Sequence, residues 1–155
     1  MPVSGKLNIL IPFFFLAGLF AAGCDSSRVP RNIADAPDGA VERLVISETG
    51  EVVAEEGKFL ELVKRTDQKL VIVDFWAPWC GPCKMLAPSL VKIKKDWRDR
   101  IEVVKVNCDD SSELVQYFQI NGIPDIRIFR TGSQVADVRG AVPREEIEAM
   151  LKSLK

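Results

Sequence analysis

The 155-residue sequence contains no histidine. A Ser-His or Cys-His catalytic pair is therefore excluded, and so are most zinc sites, because His is a principal zinc ligand. The sequence also has almost equal numbers of basic and acidic side chains, 21 and 22, which give a net charge of -1. Binding to nucleic-acid phosphates needs a basic surface, so the composition gives no electrostatic basis for a nucleic-acid partner.

Apolar residues are concentrated at the N-terminus. Lys6 is the only charged residue before Asp25, and residues 7–23 are apolar apart from Asn8. A short basic segment, an apolar segment and a run of small residues together are typical of a secretory signal. The sequence therefore predicts a signal peptide over residues 1–23 and an extracytoplasmic location for the rest of the chain.

Cys24 directly follows the small residues Ala21, Ala22 and Gly23. This run resembles the lipobox of bacterial lipoproteins, although the family usually has Leu where Ala21 stands. The resemblance implies a lipidated Cys24 that holds the protein at a membrane, where stable anchoring takes more than one acyl chain. Asp25 resembles the signal that retains some Gram-negative lipoproteins on the periplasmic face of the inner membrane. An ordinary cleaved signal and an uncleaved anchor helix are the alternatives, and both also place the domain outside the cytoplasm.

The remainder of the chain divides into a linker and one domain. Residues 24–40 lack apolar periodicity and contain two Pro with several Asp and small residues, which is typical of a flexible tether. The domain is predicted over residues 41–155, with a hairpin or a leading strand at its start. The apolar run 70–76 indicates a central strand that is covered on both faces. Strands separated by helices predict an α/β domain with a mixed sheet and helices on both faces.

Cys80 and Cys83 are separated by two residues, a spacing used for metal ligands or for a redox dithiol. Zinc needs four ligands, and the remaining cysteines, Cys24 and Cys108, do not complete a set, so no metal is predicted. A purely structural disulfide that closes so short a loop would stabilise the fold little.

A redox dithiol, by contrast, has a mechanism. Pro82 predicts the start of a helix, and Cys80 just before it would receive backbone N–H groups and the helix dipole, which favour a thiolate. Cys80 would attack a substrate disulfide, and Cys83, predicted to be the more buried, would then resolve the mixed disulfide. The two thiols carry the electrons themselves, so no cofactor is predicted.

Residues 73–84, VDFWAPWCGPCK, resemble the thioredoxin signature nearly residue for residue. The similarity extends from about Phe59 to the C-terminus, and it implies the thioredoxin fold with a central mixed sheet of four to five strands. Gly122-Ile123-Pro124 matches the family's cis-proline loop, which faces the dithiol and pairs with the substrate backbone. The predicted substrate-binding residues are Trp79, Gly81, Pro82, Ile123, Pro124 and Gly140, together with Asp125, which departs from the family pattern. The alternative for Trp79 is a core aromatic.

Two carboxylates need separate treatment. Asp74 lies inside the apolar strand, and the resemblance implies a buried carboxylate there with Lys105 as its neighbour. A buried carboxylate is costly unless it is paired or protonated, so Asp74 is predicted to accept the Cys83 proton through water. The alternative is a strand end where Asp74 reaches solvent or pairs with Lys105.

Asp125 stands where thioredoxins usually have Thr, and its charge is expected to disfavour the Cys80 thiolate and to repel acidic substrates.

Together these residues predict a thiol-disulfide reductase that acts on disulfide-containing proteins outside the cytoplasm and receives electrons from a membrane protein. The Gly81-Pro82 dipeptide resembles that of reducing thioredoxins. An oxidase or isomerase of the same fold is an alternative, because compartment and recycling partner decide the direction. A non-catalytic client-binding module is a third alternative, which the presence of both cysteines disfavours.

The remaining cysteine of the domain, Cys108, is predicted to be a small buried hydrophobic residue.

Overall fold

The computed structural model describes Met1 and residues 32–154. The predicted signal peptide beyond Met1, the predicted lipidation site Cys24 and the first part of the 24–40 segment lie outside the described residues. Among the helices that the structure describes, none has the length and the apolar character needed to cross a membrane.

Within residues 32–154 the chain forms six strands and four α-helices. They follow one another as β1 (Ala40–Ile46), β2 (Val52–Lys58), α1 (Phe59–Val63), β3 (Leu70–Trp76), α2 (Gly81–Trp97), β4 (Ile101–Asn107), α3 (Ser112–Tyr117), β5 (Asp125–Arg130), β6 (Ser133–Arg139) and α4 (Arg144–Ser153).

The six strands form one mixed sheet in the order β2-β1-β4-β3-β5-β6. β3 and β4 are parallel, and the other neighbours are antiparallel. The predicted mixed sheet is confirmed, but the predicted number of four to five strands was too low. The additional strands form the β1–β2 hairpin, which joins the sheet through β1 and β4. β2 is exposed along most of its length, so no apolar pattern marked it as a full strand.

β3 crosses the middle of the sheet and is buried over almost its whole length, as the apolar run predicted. Successive side chains point to opposite faces of a strand, so β3 supplies two separate cores. Val71, Val73 and Phe75 pack with Phe59 of α1 and with Phe118, which follows α3. The opposite core joins β3 to the apolar residues of α2 and α4, namely Leu86, Leu90, Ile93, Ile147 and Leu151. Helices therefore cover both faces, which confirms this part of the prediction.

The segment just before β1 packs on the domain and does not form a linker. Ile33 is fully buried, and its N–H donates to the carbonyl of Gly132 at 3.1 Å. Ala36 is buried in the same core, and the hydroxyl of Tyr117 donates to the carbonyl of Asn32 at 3.0 Å. The predicted tether is thereby corrected over residues 32–40. Ile33 and Ala36 do not follow a helical or strand period, so the sequence gave no indication that they are buried. The core that buries them is formed by segments that are distant in the chain.

The strand register defines the two ends of the sheet. At one end, Trp76 of β3 pairs with Asn107, and Phe75 pairs with Asp125. We call this the dithiol end, because Cys80 follows Trp76 closely in the chain. At the opposite end, Leu70 pairs with both Ile101 and Arg130. The six steps from one end of β3 to the other span roughly 20 Å at about 3.3 Å per residue.

Candidate active site

Cys80 and Cys83 form a disulfide with an S–S distance of 2.00 Å. Cys80 is the N-cap residue of α2, and Pro82 lies in the first turn, as predicted. The backbone N–H of Cys83 donates to Cys80 Sγ at 3.2 Å. A backbone donor at a helix N-terminus stabilises negative charge, so this contact favours the thiolate on Cys80 once the disulfide is opened.

The two cysteines do not differ in burial. Cys80 is 3% exposed and Cys83 is 4% exposed, and both pack with Ala77. The prediction that Cys83 is the more buried residue is therefore wrong for the disulfide form, because the closed ring holds both sulfurs against the same apolar surface. The hydrogen bond received by Cys80 Sγ, and not solvent exposure, distinguishes the two sulfurs.

The cis-proline loop lies next to the disulfide. The Ile123–Pro124 peptide bond is cis, and Ile123 packs against the cluster that contains the two cysteines. Gly140 N–H donates to the Pro124 carbonyl at 2.8 Å, which brings the predicted glycine to the same loop. A cavity of about 220 Å³ is lined by both segments and by Asp125. The structure thus brings together four of the residues predicted to bind substrate.

The other predicted substrate-binding residues lie at the surface beside the disulfide. Trp79 is 69% exposed, and Gly81 and Pro82 are also exposed. The indole Nε1–H of Trp79 donates to the Asp109 carboxylate at 3.1 Å, which fixes one edge of the ring. Sequence reasoning missed Asp109, although its place just after β4, at the same sheet end as Trp76, is the signal that could have identified it.

Asp74 is buried in the middle of the sheet. It is 2% exposed, and Oδ1 has no hydrogen-bond partner among the described residues. Burial raises the pKa of Asp74 to about 7, and the positive charge of Lys105 opposes this rise in part. The alternative of a solvent-reaching strand end is therefore excluded. Near neutral pH the carboxyl group exchanges between its charged and neutral forms, as a proton acceptor requires.

Lys105 lies opposite Asp74 in the register of β3 and β4. Its ammonium is directed elsewhere, however: Nζ lies 3.7 Å from the centroid of the Trp76 ring and 3.9 Å from Glu42 Oε2. The alternative that Asp74 simply pairs with Lys105 is not what the structure has. Sequence reasoning missed Glu42, since only the β1–β4 register places it opposite Lys105.

Asp125 is buried, and its charge is balanced. The residue is 2% exposed, and its two carboxylate oxygens accept hydrogen bonds from Nε and Nη2 of Arg127 at 2.5 and 2.9 Å. Arg127 is itself 1% exposed. The expectation of a free negative charge beside the dithiol is therefore corrected. Residues two apart share one face of a strand, and this alternation is the signal that could have identified Arg127.

Cys108 is half-buried against the core on the Phe118 side of the sheet. Burial raises the pKa of its thiol to about 11, and the charges of Asp74, Asp109 and Asp125 act in the same direction. A thiol with a raised pKa is a poor nucleophile, in keeping with the interpretation of Cys108 as a packing residue. No group of acidic and cysteine side chains within residues 32–154 is arranged to hold a metal ion.

Comparison with known proteins gives consistent matches. A family model described as thioredoxin matches residues 50–153, which include every predicted site residue apart from Cys24. The chain is 33% identical over 144 residues to thioredoxin M-type, chloroplastic, of Zea mays, with 93% of this chain and 81% of that protein aligned. It is 44% identical over 81 residues to thioredoxin of Porphyra purpurea, covering 52% and 76% of the two chains. Thioredoxin 1 of Synechococcus elongatus is 47% identical over 74 residues, covering 48% and 69%.

Proposed function

Because the chain belongs to the thioredoxin family and is a protein-disulfide reductase, we propose that it reduces disulfides of extracytoplasmic proteins while lipidated Cys24 holds it at a membrane. The observation that supports the chemistry best is the hydrogen bond from the Cys83 N–H to Cys80 Sγ at the start of α2. This donor supports Cys80 as the nucleophile, since it favours negative charge on its sulfur.

The reduction takes two exchange steps. The Cys80 thiolate attacks one sulfur of the substrate disulfide, that S–S bond breaks, and the other substrate sulfur leaves as a thiolate. The Cys83 thiolate then attacks Cys80 Sγ and releases the second substrate sulfur. The substrate gains two electrons and, after protonation, two thiols, while the enzyme is left with the Cys80–Cys83 disulfide that the structure contains.

Asp74 is the proposed acceptor of the Cys83 proton. It lies on β3, the strand that leads to the dithiol, and its free Oδ1 can bind a water molecule. Its pKa of about 7 leaves it partly charged at neutral pH, so it can take up a proton without a large energetic penalty. Lys105 is proposed to limit the rise in this pKa through its positive charge.

The substrate is proposed to lie between Trp79 and the cis-proline loop. An extended peptide there could pair with the backbone at Ile123, while the exposed Trp79 ring and the cavity beside Gly140 would accommodate its side chains. Gly81 and Pro82 leave the approach to Cys80 open, since a side chain added at Gly81 would meet no atom within 4 Å.

The location and the electron donor rest on the sequence. Residues 1–23 have the pattern of a signal peptide, and Cys24 follows a lipobox-like run. Outside the cytoplasm the Cys80–Cys83 disulfide must be reduced again after each turnover. A membrane protein that carries electrons across the bilayer is therefore the proposed donor.

A trapping experiment tests this proposal. The full chain with its leader is expressed with Cys83→Ser, which is expected to accumulate mixed disulfides with substrate proteins through Cys80. Cys80→Ser is the matched control and should trap nothing. Cys24→Ala should release the protein from the membrane fraction. Trapped cytoplasmic proteins would contradict the proposed location, and a predominantly oxidised Cys80–Cys83 pair in cells would favour the oxidase alternative.

A further inference from the structure

The described N-terminal segment joins the domain at the sheet end remote from the dithiol. Asn32 forms an antiparallel bridge with Ser133, and Ser133 pairs with Arg130 at the end of β5. Arg130 in turn pairs with Leu70, the first residue of β3. The segment is held there by buried Ile33, so its attachment to the fold is part of the core.

The same end of the domain carries an excess of basic over acidic side chains. Residues 64–69, residues 94–102, Arg130 and the β1–β2 turn (residues 47–51), which the strand register places at this end, contain eight basic and six acidic side chains. The rest of residues 32–154 contains nine basic and 15 acidic side chains. The domain therefore has a positive end, which we call the basic end, and a negative remainder that includes the surroundings of the dithiol.

Two of these cations are free to meet a partner. Lys64 and Arg98 are exposed and form no ion pair within residues 32–154. A cavity of about 630 Å³ at this end is lined by Lys69, Arg100 and Arg130, with one acidic side chain. Arg130 Nη2 donates to the carbonyl of Leu154, which fixes this guanidinium at the cavity wall.

We propose that the basic end is a docking surface for an anionic bilayer, so that the dithiol faces away from the membrane. This inference rests on the proposed membrane anchor for its biological setting. Seven residues lie between Cys24 and Asn32, and the eight steps from one to the other span at most roughly 28 Å in a fully extended chain. Two of them, Arg28 and Arg31, are basic as well. An anchor at Cys24 therefore keeps the basic end within reach of lipid headgroups.

The charge distribution determines the orientation. Each Lys or Arg near an anionic bilayer favours association on the order of fivefold, and the acidic remainder is repelled over about a Debye length. The dithiol, roughly 20 Å away along β3, is then exposed to proteins in the aqueous compartment. Substrates that fit this arrangement are soluble proteins or protein domains that project well beyond the bilayer surface.

Hydrogen exchange of the full chain on vesicles tests the orientation. The probes are vesicles of three parts phosphatidylcholine to one part phosphatidylglycerol and vesicles of phosphatidylcholine alone. Backbone amides of residues 64–69 and 98–101 are expected to exchange several-fold more slowly on the anionic vesicles only. Residues 77–83 should exchange at equal rates on both. Protection of the dithiol loop, or equal protection of the basic end on both vesicles, would overturn the proposal.

A pair of charge variants separates local from general electrostatics. Lys64→Gln with Arg98→Gln should abolish the added protection, while Lys58→Gln with Lys84→Gln removes the same charge at the dithiol end and should preserve it. Loss in both pairs, or in neither, would overturn the docking surface. If the chain is recovered without a lipid on Cys24, the anchor has failed, but the same exchange comparison with the chain added to vesicles still decides the docking.

Discussion

Asp125, the residue after cis-Pro124, and Arg127 form a buried bidentate ion pair. Asp125 stands where the resemblance to thioredoxins leads one to expect a neutral Thr. Two opposite charges held within 3 Å present little net charge to the dithiol. The pair therefore affects the cis-proline loop by fixing its position and not by its charge. It connects the loop to β5, the strand that pairs with β3.

Asp125→Thr is expected to destabilise the protein by about 3–5 kcal/mol, because it leaves the Arg127 guanidinium buried without its partner. Urea unfolding monitored by tryptophan fluorescence measures the loss. The double variant Asp125→Thr with Arg127→Leu is the matched control, and it should recover most of the stability because both buried charges are gone. A single variant that unfolds at the same urea concentration as the parent protein would show that the pair is dispensable.

Asp74→Asn should change how the free energy of unfolding depends on pH. The pKa of Asp74 is raised by burial from 3.8 to about 7 in the folded protein, so the native state binds the proton more tightly than the unfolded chain. The stability of the parent protein should therefore fall as the pH rises from about 4 to 7, by on the order of 4 kcal/mol. The variant should lack this slope, as denaturant titrations at several pH values would show. A parallel slope in both proteins would assign it to other groups.

The same variant tests the proton transfer. Asp74→Asn cannot accept a proton, so its reduction of a test protein disulfide near pH 7 should be slower than that of the parent protein. The expected loss is roughly tenfold to a hundredfold, within the range of general-base effects. Stopped-flow tryptophan fluorescence of the reduced enzyme measures the rate. Equal rates in both proteins across pH 6–8 would remove Asp74 from the mechanism.

Ile33→Ala should show that the segment before β1 belongs to the fold. Ile33 is fully buried, and truncation of a buried Ile to Ala costs about 2–4 kcal/mol. Exposed Val53 provides the control, since Val53→Ala should change stability by less than about 0.5 kcal/mol. Thermal unfolding compares the three proteins. If Ile33→Ala were as stable as the control, residues 32–39 would not contribute to the core.

Trp79→Ala should impair recognition of protein substrates and leave stability nearly unchanged. The ring is 69% exposed and touches the fold through its hydrogen bond to Asp109. Removal of an exposed aromatic contact is expected to raise KM for a protein disulfide roughly tenfold. The rate with a small aromatic disulfide serves as the internal reference and should change less. A uniform loss on both substrates would place Trp79 in the chemical step.

Much of the candidate site was predictable, because its chemistry depends on local spacing. The Cys80–Cys83 pair, the helix start marked by Pro82 and the buried Asp74 all follow from residues that are close in the sequence. The resemblance added the cis-proline loop, and the structure places it against the dithiol. The partners of these residues were the part that local patterns missed. Glu42 is brought to Lys105 only by the β1–β4 register.

The sequence alone determined the redox pair, the order of strands and helices from Phe59 onward and the buried position of β3. Each depends on neighbours within one turn or one strand, which composition and periodicity report. The tertiary structure decided how charge is distributed: the neutral Asp125–Arg127 pair, the direction of Lys105, and the basic end where Ile33 docks. These relationships exist only once the sheet register brings distant segments together, because charge interactions depend on distance in space and not along the chain.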